Sequence, residues 1–266
     1  MQDSIVIKTD PSVQYLLRIA DTCLILAQRL SEWCGHAPVL EEDIAMANMA
    51  LDLLGQARAL LAHAGRLEGQ GHDEDQLAFL RSERDYLNVT LVELPNDAGG
   101  KRDFAFTVLR NVVMATFLKL LWERLADSSD AELAAIAGKA VKEARYHQRH
   151  AGEWVVRLAD GTDESRRRIE AARDRLWIYT AEMFESDTID ERADTSGLGP
   201  RWSSLREAWI AEMAGLFDEA HLAMPKGSAE GSKFRSTGKS GKHSEHMGFI
   251  LTEMQYLQRA YPGGVW

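Results

Sequence analysis

Cysteine is nearly absent: the 266 residues hold only Cys23 and Cys34. On one helix these two would stand roughly 16 Å apart at about 1.5 Å per residue, far beyond the ~7 Å Cα reach of a disulfide. They are expected to be reduced packing residues, as in a cytoplasmic protein. Proline is scarce at 6, so little interrupts long helices. Positive charge is in deficit, 31 Lys and Arg against 41 Asp and Glu, for a net −10. Such a chain repels phosphate unless its charge is segregated, which excludes a general nucleic-acid surface. An uncharged apolar run of about 18 residues is missing, so no membrane span is expected. The start, Met1 to Lys8, lacks the apolar core of a secretory signal. Also missing are Gly-x-Gly-x-x-Gly, a phosphate-binding loop, Gly-x-Ser-x-Gly and paired-cysteine metal motifs.

What is present is helix. Hydrophobic residues make up 45% and charged residues 27%, and β-type alternation is absent. A first helix is expected near Pro11 to Cys34, with Val13, Leu16, Leu17, Ala20, Cys23, Leu24, Ala27 and Leu30 on one face. A second, near Val39 to Ala64, is apolar on almost every side and should pack on several neighbours. A third is expected around Glu74 to Glu93, stopped by Pro95. A fourth runs from Asp103 to Ala126, and a fifth, capped from the Asp127–Asp130 cluster, to Ala159. The sixth spans about Glu164 to Glu185 and the seventh Ser203 to Leu222. The last runs from Ser244 to Ala260, with polar loops over 186–202 and 224–242. The fold class is all-α. Short connections after the first and fourth helices favour a four-helix core of helices one, two, four and five.

Histidine and carboxylate on bundle helices raise the question of a carboxylate-bridged di-iron centre. That centre takes a Glu from each of two helices and a Glu-x-x-His pair from each of two others. The i, i+3 spacing matters because both side chains then share one helix face. No Glu in this chain is followed three residues later by His. On the second helix the acid is Asp52, whose i+3 partner is Gly55; Asn48, Asp52 and Gln56 form a polar stripe. The stripe reads as a vestigial metal face or, preferably, as a satisfied polar network or interface stripe. On the fifth helix Glu143 is followed by Tyr146 at i+3 and His147 at i+4. A buried glutamate needs a partner, and pairing of Glu143 with His147 or an arginine is preferred over metal ligation. The first helix offers Asp21 and Gln28, the fourth Asn111 and Lys119, the last a cation where iron would sit if it points inward. Asp218 and His221 form the single acid-x-x-His match, without a second copy. His243, His246 and Glu245 could bind zinc or iron, although beside a Lys-rich loop they read better as anion binders or caps.

Several blocks carry a resemblance. They are Gln28-Arg-Leu-Ser-Glu-Trp-Cys-Gly-His-Ala-Pro38, Leu51-Asp-Leu-Leu-Gly-Gln-Ala-Arg58, Leu77-Ala-Phe-Leu-Arg-Ser-Glu-Arg84, Lys142-Glu-Ala-Arg-Tyr-His147, Arg157-Leu-Ala-Asp-Gly-Thr-Asp163 and the segment from Gly241 to Arg259. In this order the chain resembles, almost from end to end, the C-subunit family of the phenylacetyl-CoA oxygenases, the ring 1,2-epoxidases of aerobic phenylacetate degradation. The resemblance implies a single ferritin-like domain over 1–266, helical over about 11–260. It implies a structural, non-catalytic chain in a tight heteromer with a homologous A subunit; the cytoplasm is the default location, as no secretory signal or membrane span is expected. The di-iron centre belongs to that A subunit, which acts on phenylacetyl-CoA with electrons from a separate reductase holding NADPH, flavin and Fe–S groups. The resemblance implies no cofactor, metal or catalytic residue in this chain, leaving Asp52, Glu143 and His147 as vestigial positions. The alternative is a catalytic di-iron monooxygenase chain using those three as non-standard ligands.

Between Pro225 and Lys242 five cations (Lys226, Lys233, Arg235, Lys239, Lys242) face one acid, Glu230, a local net of +4. This loop, with His243 and His246, is expected to meet an acidic face of the partner in preference to the CoA phosphates. The seven tryptophans are possible interface anchors.

Overall fold

A computed structural model of the chain describes residues 2–8, 10–97, 100–225 and 234–264. Among the described residues the structure is helical, apart from two isolated bridges at Asp97–Arg102 and Thr237–Lys242. The all-α expectation holds. The α-helices are α1 (Pro11–Ser31), α2 (Leu40–Glu68), α3 (Glu74–Phe79), α4 (Phe104–Leu125), α5 (Ala131–Ala159), α6 (Asp163–Trp177), α7 (Thr188–Ser196), α8 (Arg206–Glu219) and α9 (Glu245–Ala260). They fall into two compact units. The first comprises Met1–Cys34, Ile44–Pro95 and Ser236–Trp266, the second Gly35–Asp43 and Asn96–Arg235. The four helices expected to form one core are thus divided, α1 and most of α2 in the first unit, α4 and α5 in the second.

In the first unit α1 starts where Asp10 accepts a hydrogen bond from the Ser12 amide (2.8 Å) and Pro11 occupies the first turn. The expected apolar stripe is buried, but so are Arg18, Asp21, Thr22 and Arg29 on other faces. The helix is enclosed nearly all round, and its polar residues therefore need internal partners. Cys23 is buried as expected; Cys34 lies beyond the helix end and is exposed, so it is not a packing residue. The second helix meets its expectation in part: Met46, Met49, Leu53, Leu60 and Leu61 are buried. It runs on through Gly65 to Glu68 and leaves Ile44 55% and Leu51 64% exposed.

The expected third helix ends early. A capping box of Asp73 and Gln76 starts α3, yet after Phe79 the chain forms only 3-10 turns at Glu83–Asp85 and Thr90–Glu93, joined by extended residues. Two causes combine. Val89, Thr90 and Val92 are β-branched and weak helix formers. In addition, side chains of α1 capture the backbone donors: Leu87 N–H donates to Asp21 (2.9 Å) and Val89 N–H to the Thr22 hydroxyl (3.4 Å).

In the second unit α4 is capped by Asp103 and α5 by Asp130, both accepting from the first amides of their helix. The five-residue link between them and their extensive mutual packing make an antiparallel hairpin. By length and composition α4 could cross a membrane, but 83% of its most apolar stretch is buried inside the protein, which makes it a core helix. On α5 the rows Leu133, Ala140, His147 and Ala137, Ala144, Ala151 are buried, with Trp154 and Leu158 at their ends half-buried. The sixth helix stops at Trp177 instead of Glu185. The polar stretch 186–202 holds α7, capped by Asp187 and ended by Gly197 at φ 74°, a left-handed conformation that glycine adopts without strain. Trp209 donates to the Val113 carbonyl (3.0 Å) and lies against Trp177, while Trp202 meets Phe117. Trp33, Trp122, Trp202 and Trp209 are buried, and Trp154 and Trp177 are half-buried. The four buried ones are core residues; Trp266 lies outside the described residues.

Candidate functional site

The densest concentration of buried charge lies inside the first unit. From α1 come Asp21 and Arg29, from the irregular segment after α3 come Arg81, Tyr86, Asn88 and Glu93, and from the start of α9 comes His243 with Gln255 further along. Arg81 and Asp21 form an ion pair with both side chains fully buried. The guanidinium also donates to the Asp85 carbonyl (2.8 Å), so the pair is woven into backbone as well. Tyr86 donates to the Ala78 carbonyl and accepts from Gln255 (2.8 Å). Burial pushes its phenol up to about 12, keeping it neutral.

Glu93 is equally enclosed. Its carboxylate accepts from Asn88 (2.9 Å), from the Ser244 amide (2.8 Å) and from His243 Nδ1 (2.7 Å). Arg29 donates to the Glu93 carbonyl (3.0 Å). His243 Nε2 donates to the Tyr86 carbonyl (3.0 Å). Burial disfavours the imidazolium, but the Glu93 carboxylate outweighs it and the net shift is upward. Chemically the cluster consists of carboxylates neutralised by the chain's own cations, with hydrogen bonds filling their remaining lone pairs. That is an interior stabilising network and leaves little room for a metal to replace a guanidinium.

The positions singled out as vestigial ligands belong to different units. Asp52 is half-buried on α2 in the first unit, while Glu143 and His147 lie on α5 in the second. Along the polar stripe Asn48 is exposed and Gln56 is buried, accepting from Cys23 Sγ (3.6 Å). Glu143 also meets Lys139 one turn earlier (3.6 Å). His147 is buried with its ring edge-on to Tyr146 at 6.1 Å. His221 sits past the end of α8 at φ 50°, exposed, so it shares no helix face with Asp218. Lys119 is neutralised by Glu212 of α8, which also accepts from Gln148 (2.6 Å). Asp21, the acid available on α1, belongs to Arg81. Among the described residues no group of three or more His, Cys, Asp or Glu is placed to hold a metal ion.

The basic loop is also divided. Lys226, Glu230 and Lys233 lie outside the described residues. Arg235 is exposed and 3.5 Å from Glu185, and Lys242 is exposed. Lys239 is only 6% exposed, and its carbonyl accepts from Arg18 (3.3 Å). The His243 ring is fully enclosed. Lys239 and His243 therefore face inward, which corrects their place among the outward-reaching cations; Arg235 and Lys242 are exposed and His246 is half-buried. The grouping of His243, His246 and Glu245 dissolves for the same reason. Ser244 caps α9 by accepting from the His246 amide (3.3 Å), while His243 turns to Glu93.

Sequence reasoning placed Glu93 at the end of a helix and missed its partnership with His243, 150 residues away. The available signal was a lone acid inside the apolar run Leu91-Val92-Glu93-Leu94.

A family model described as phenylacetic acid catabolic protein matches residues 2–266. The chain is 48% identical over 252 residues to the C subunit of the 1,2-phenylacetyl-CoA epoxidase of Escherichia coli strain K12, a match covering 95% of this chain and 98% of that protein.

Proposed function

Because the chain belongs to the phenylacetic acid catabolic protein family, we propose that it is the C-type structural component of a phenylacetyl-CoA 1,2-epoxidase. In this reading it binds and holds the iron-bearing A-type catalytic subunit and has no cofactor itself. The substrate, phenylacetyl-CoA, is turned over by the complex, with electrons from the NADPH-, flavin- and Fe–S-containing reductase. The observation that carries the reading is the near full-length match, at 48% identity, to the C subunit of such an epoxidase. The interior chemistry agrees: Asp21, Glu93 and Glu212, three carboxylates a metal could have used, are bonded to Arg81, His243 and Lys119.

A structural component also needs a surface for its partner. In the first unit Ile44 and Leu51 are exposed one heptad apart on α2. Ala47, three residues after Ile44, and Gly55, four residues after Leu51, present little bulk to an approaching helix. Exposed aliphatic side chains at this spacing suit a helix of the catalytic subunit, and we assign that role to the α2 face.

Elemental analysis tests the cofactor part of the proposal. Iron should be at background in the chain purified alone. It should appear, about two per A-type chain as a carboxylate-bridged pair, when the two are co-purified. Stoichiometric iron in the lone chain, with oxygen-dependent epoxidation, would establish the alternative in which Asp52, Glu143 and His147 serve a catalytic centre.

A further inference from the structure

Residues 236–244 form a strap laid against the segment after α3, and its geometry is unusually constrained. Thr237 and Lys242 pair across a turn at Gly238–Ser240. The Gly238 amide donates to the Thr90 hydroxyl (3.1 Å), and a Cβ there would collide with the Asn88 carbonyl. Gly241 has φ 75° and lies so close to the Arg84 carbonyl that a Cβ would collide with it as well. Arg18 of α1 holds the Lys239 carbonyl. At the strap's end His243 is fully enclosed, and Ser244 then starts α9.

The His243 ring has an acceptor at each nitrogen. A backbone carbonyl can only accept, so Nε2 must carry a hydrogen to bond Tyr86. The Glu93 carboxylate already accepts from Asn88 and the Ser244 amide, so Nδ1 supplies its third donor and its neutralising charge. Deprotonating the ring removes one of these bonds and leaves a fully buried carboxylate without its cation. The charged groups around the pair do not replace it. Asp21 is matched by Arg81, Arg29 is turned to the Glu93 carbonyl and to Glu32, and Lys239 lies on the strap itself.

We infer that His243, held doubly protonated between Glu93 and the Tyr86 carbonyl, is a proton-dependent latch that fastens the 236–244 strap and so seats the start of α9. Its sign follows from the upward shift of the folded-state imidazole. The latch is fully closed below the ring's unfolded value of about 6.5. Its stabilisation falls by about tenfold in the closing equilibrium for each pH unit between that value and the raised folded one, and is gone above the latter. The consequence is local: α9 exposes Phe249 (73%) and Tyr256 (58%) on its outer face, and the latch decides how firmly that ridge is held.

Nitrogen NMR of the histidine-labelled full chain reads the latch directly. At pH 7 both nitrogens of His243 should be protonated, with a titration midpoint above the ordinary imidazole value of about 6.5. Amide hydrogen exchange, corrected for intrinsic rates, should show residues 236–248 losing at least about tenfold more protection between pH 6 and pH 9 than α1. His243→Gln should abolish that excess pH dependence and leave the strap open at pH 6. A bare Nδ1 at pH 7, or strap protection that does not change with pH in the wild-type chain, would overturn the inference. Both wild-type readings decide it even if the variant does not fold.

Discussion

Asp21→Leu should be among the most damaging single substitutions in the first unit, costing about 3–5 kcal/mol because it leaves a buried, uncompensated charge. Arg81 is fully buried, and the substitution removes its ion-pair partner together with the acceptor for the Leu87 amide. At about 2–4 °C per kcal/mol for a chain of this size, thermal unfolding should move down on the order of 10 °C. The double variant with Arg81→Leu should recover much of the loss, since two apolar side chains can replace a buried pair at little net change. Scanning calorimetry of the two variants checks this. Equal melting of Asp21→Leu and wild type would show that the pair contributes nothing.

The second large effect falls on association and spares the fold. Ile44→Asp combined with Leu51→Asp places two carboxylates on the α2 face where both side chains now project into solvent. Exposed positions tolerate such changes within about 0.5 kcal/mol, so the variant should melt with the wild-type chain. If the catalytic subunit docks there, each anchor is worth about 2 kcal/mol or more. Affinity should then fall by a factor of several hundred or more, since each 1.4 kcal/mol is about tenfold. Calorimetric titration against the iron-bearing partner measures it. Unchanged affinity with unchanged melting would move the docking surface away from α2.

The elements legible in the sequence are those whose signals are local. The fourth and fifth helices follow from continuous apolar periodicity and from Asp103 and Asp130 at their caps. Helix α7, inside the stretch read as a polar loop, had its signals too, Asp187 before it and Gly197 after it, but nine mostly polar residues gave no periodicity to join them. The segment after α3 was illegible for a different reason. Its backbone donors are captured by Asp21 and Thr22, more than 60 residues away, so no window along the chain contains the cause. The second helix shows a third kind of limit. Its apolar residues signal burial, and nothing in the one-dimensional pattern separates those turned to the core from Ile44 and Leu51, which face outward.

The candidate site was legible as a deficit. The missing Glu-x-x-His pairs and Gly55 at the i+3 position from Asp52 were visible without coordinates. What fills the deficit was not. The pairs Asp21–Arg81 and Glu93–His243 span 60 and 150 residues. Lys239 and His243, read as cations reaching outward from a Gly/Ser/Lys loop, turn inward because Gly238 and Gly241 let the strap lie directly on the backbone beneath it.

The central claim is that this chain acts by holding another protein, the iron-bearing oxygenase component. Size-exclusion chromatography with light scattering, run on the chain alone, on the A-type iron protein alone and on their mixture at micromolar concentration, tests it most directly. The account predicts one earlier-eluting species containing both chains, with ring epoxidation confined to fractions in which both are present. Separate elution of the two chains, with full activity in either one alone, would contradict it.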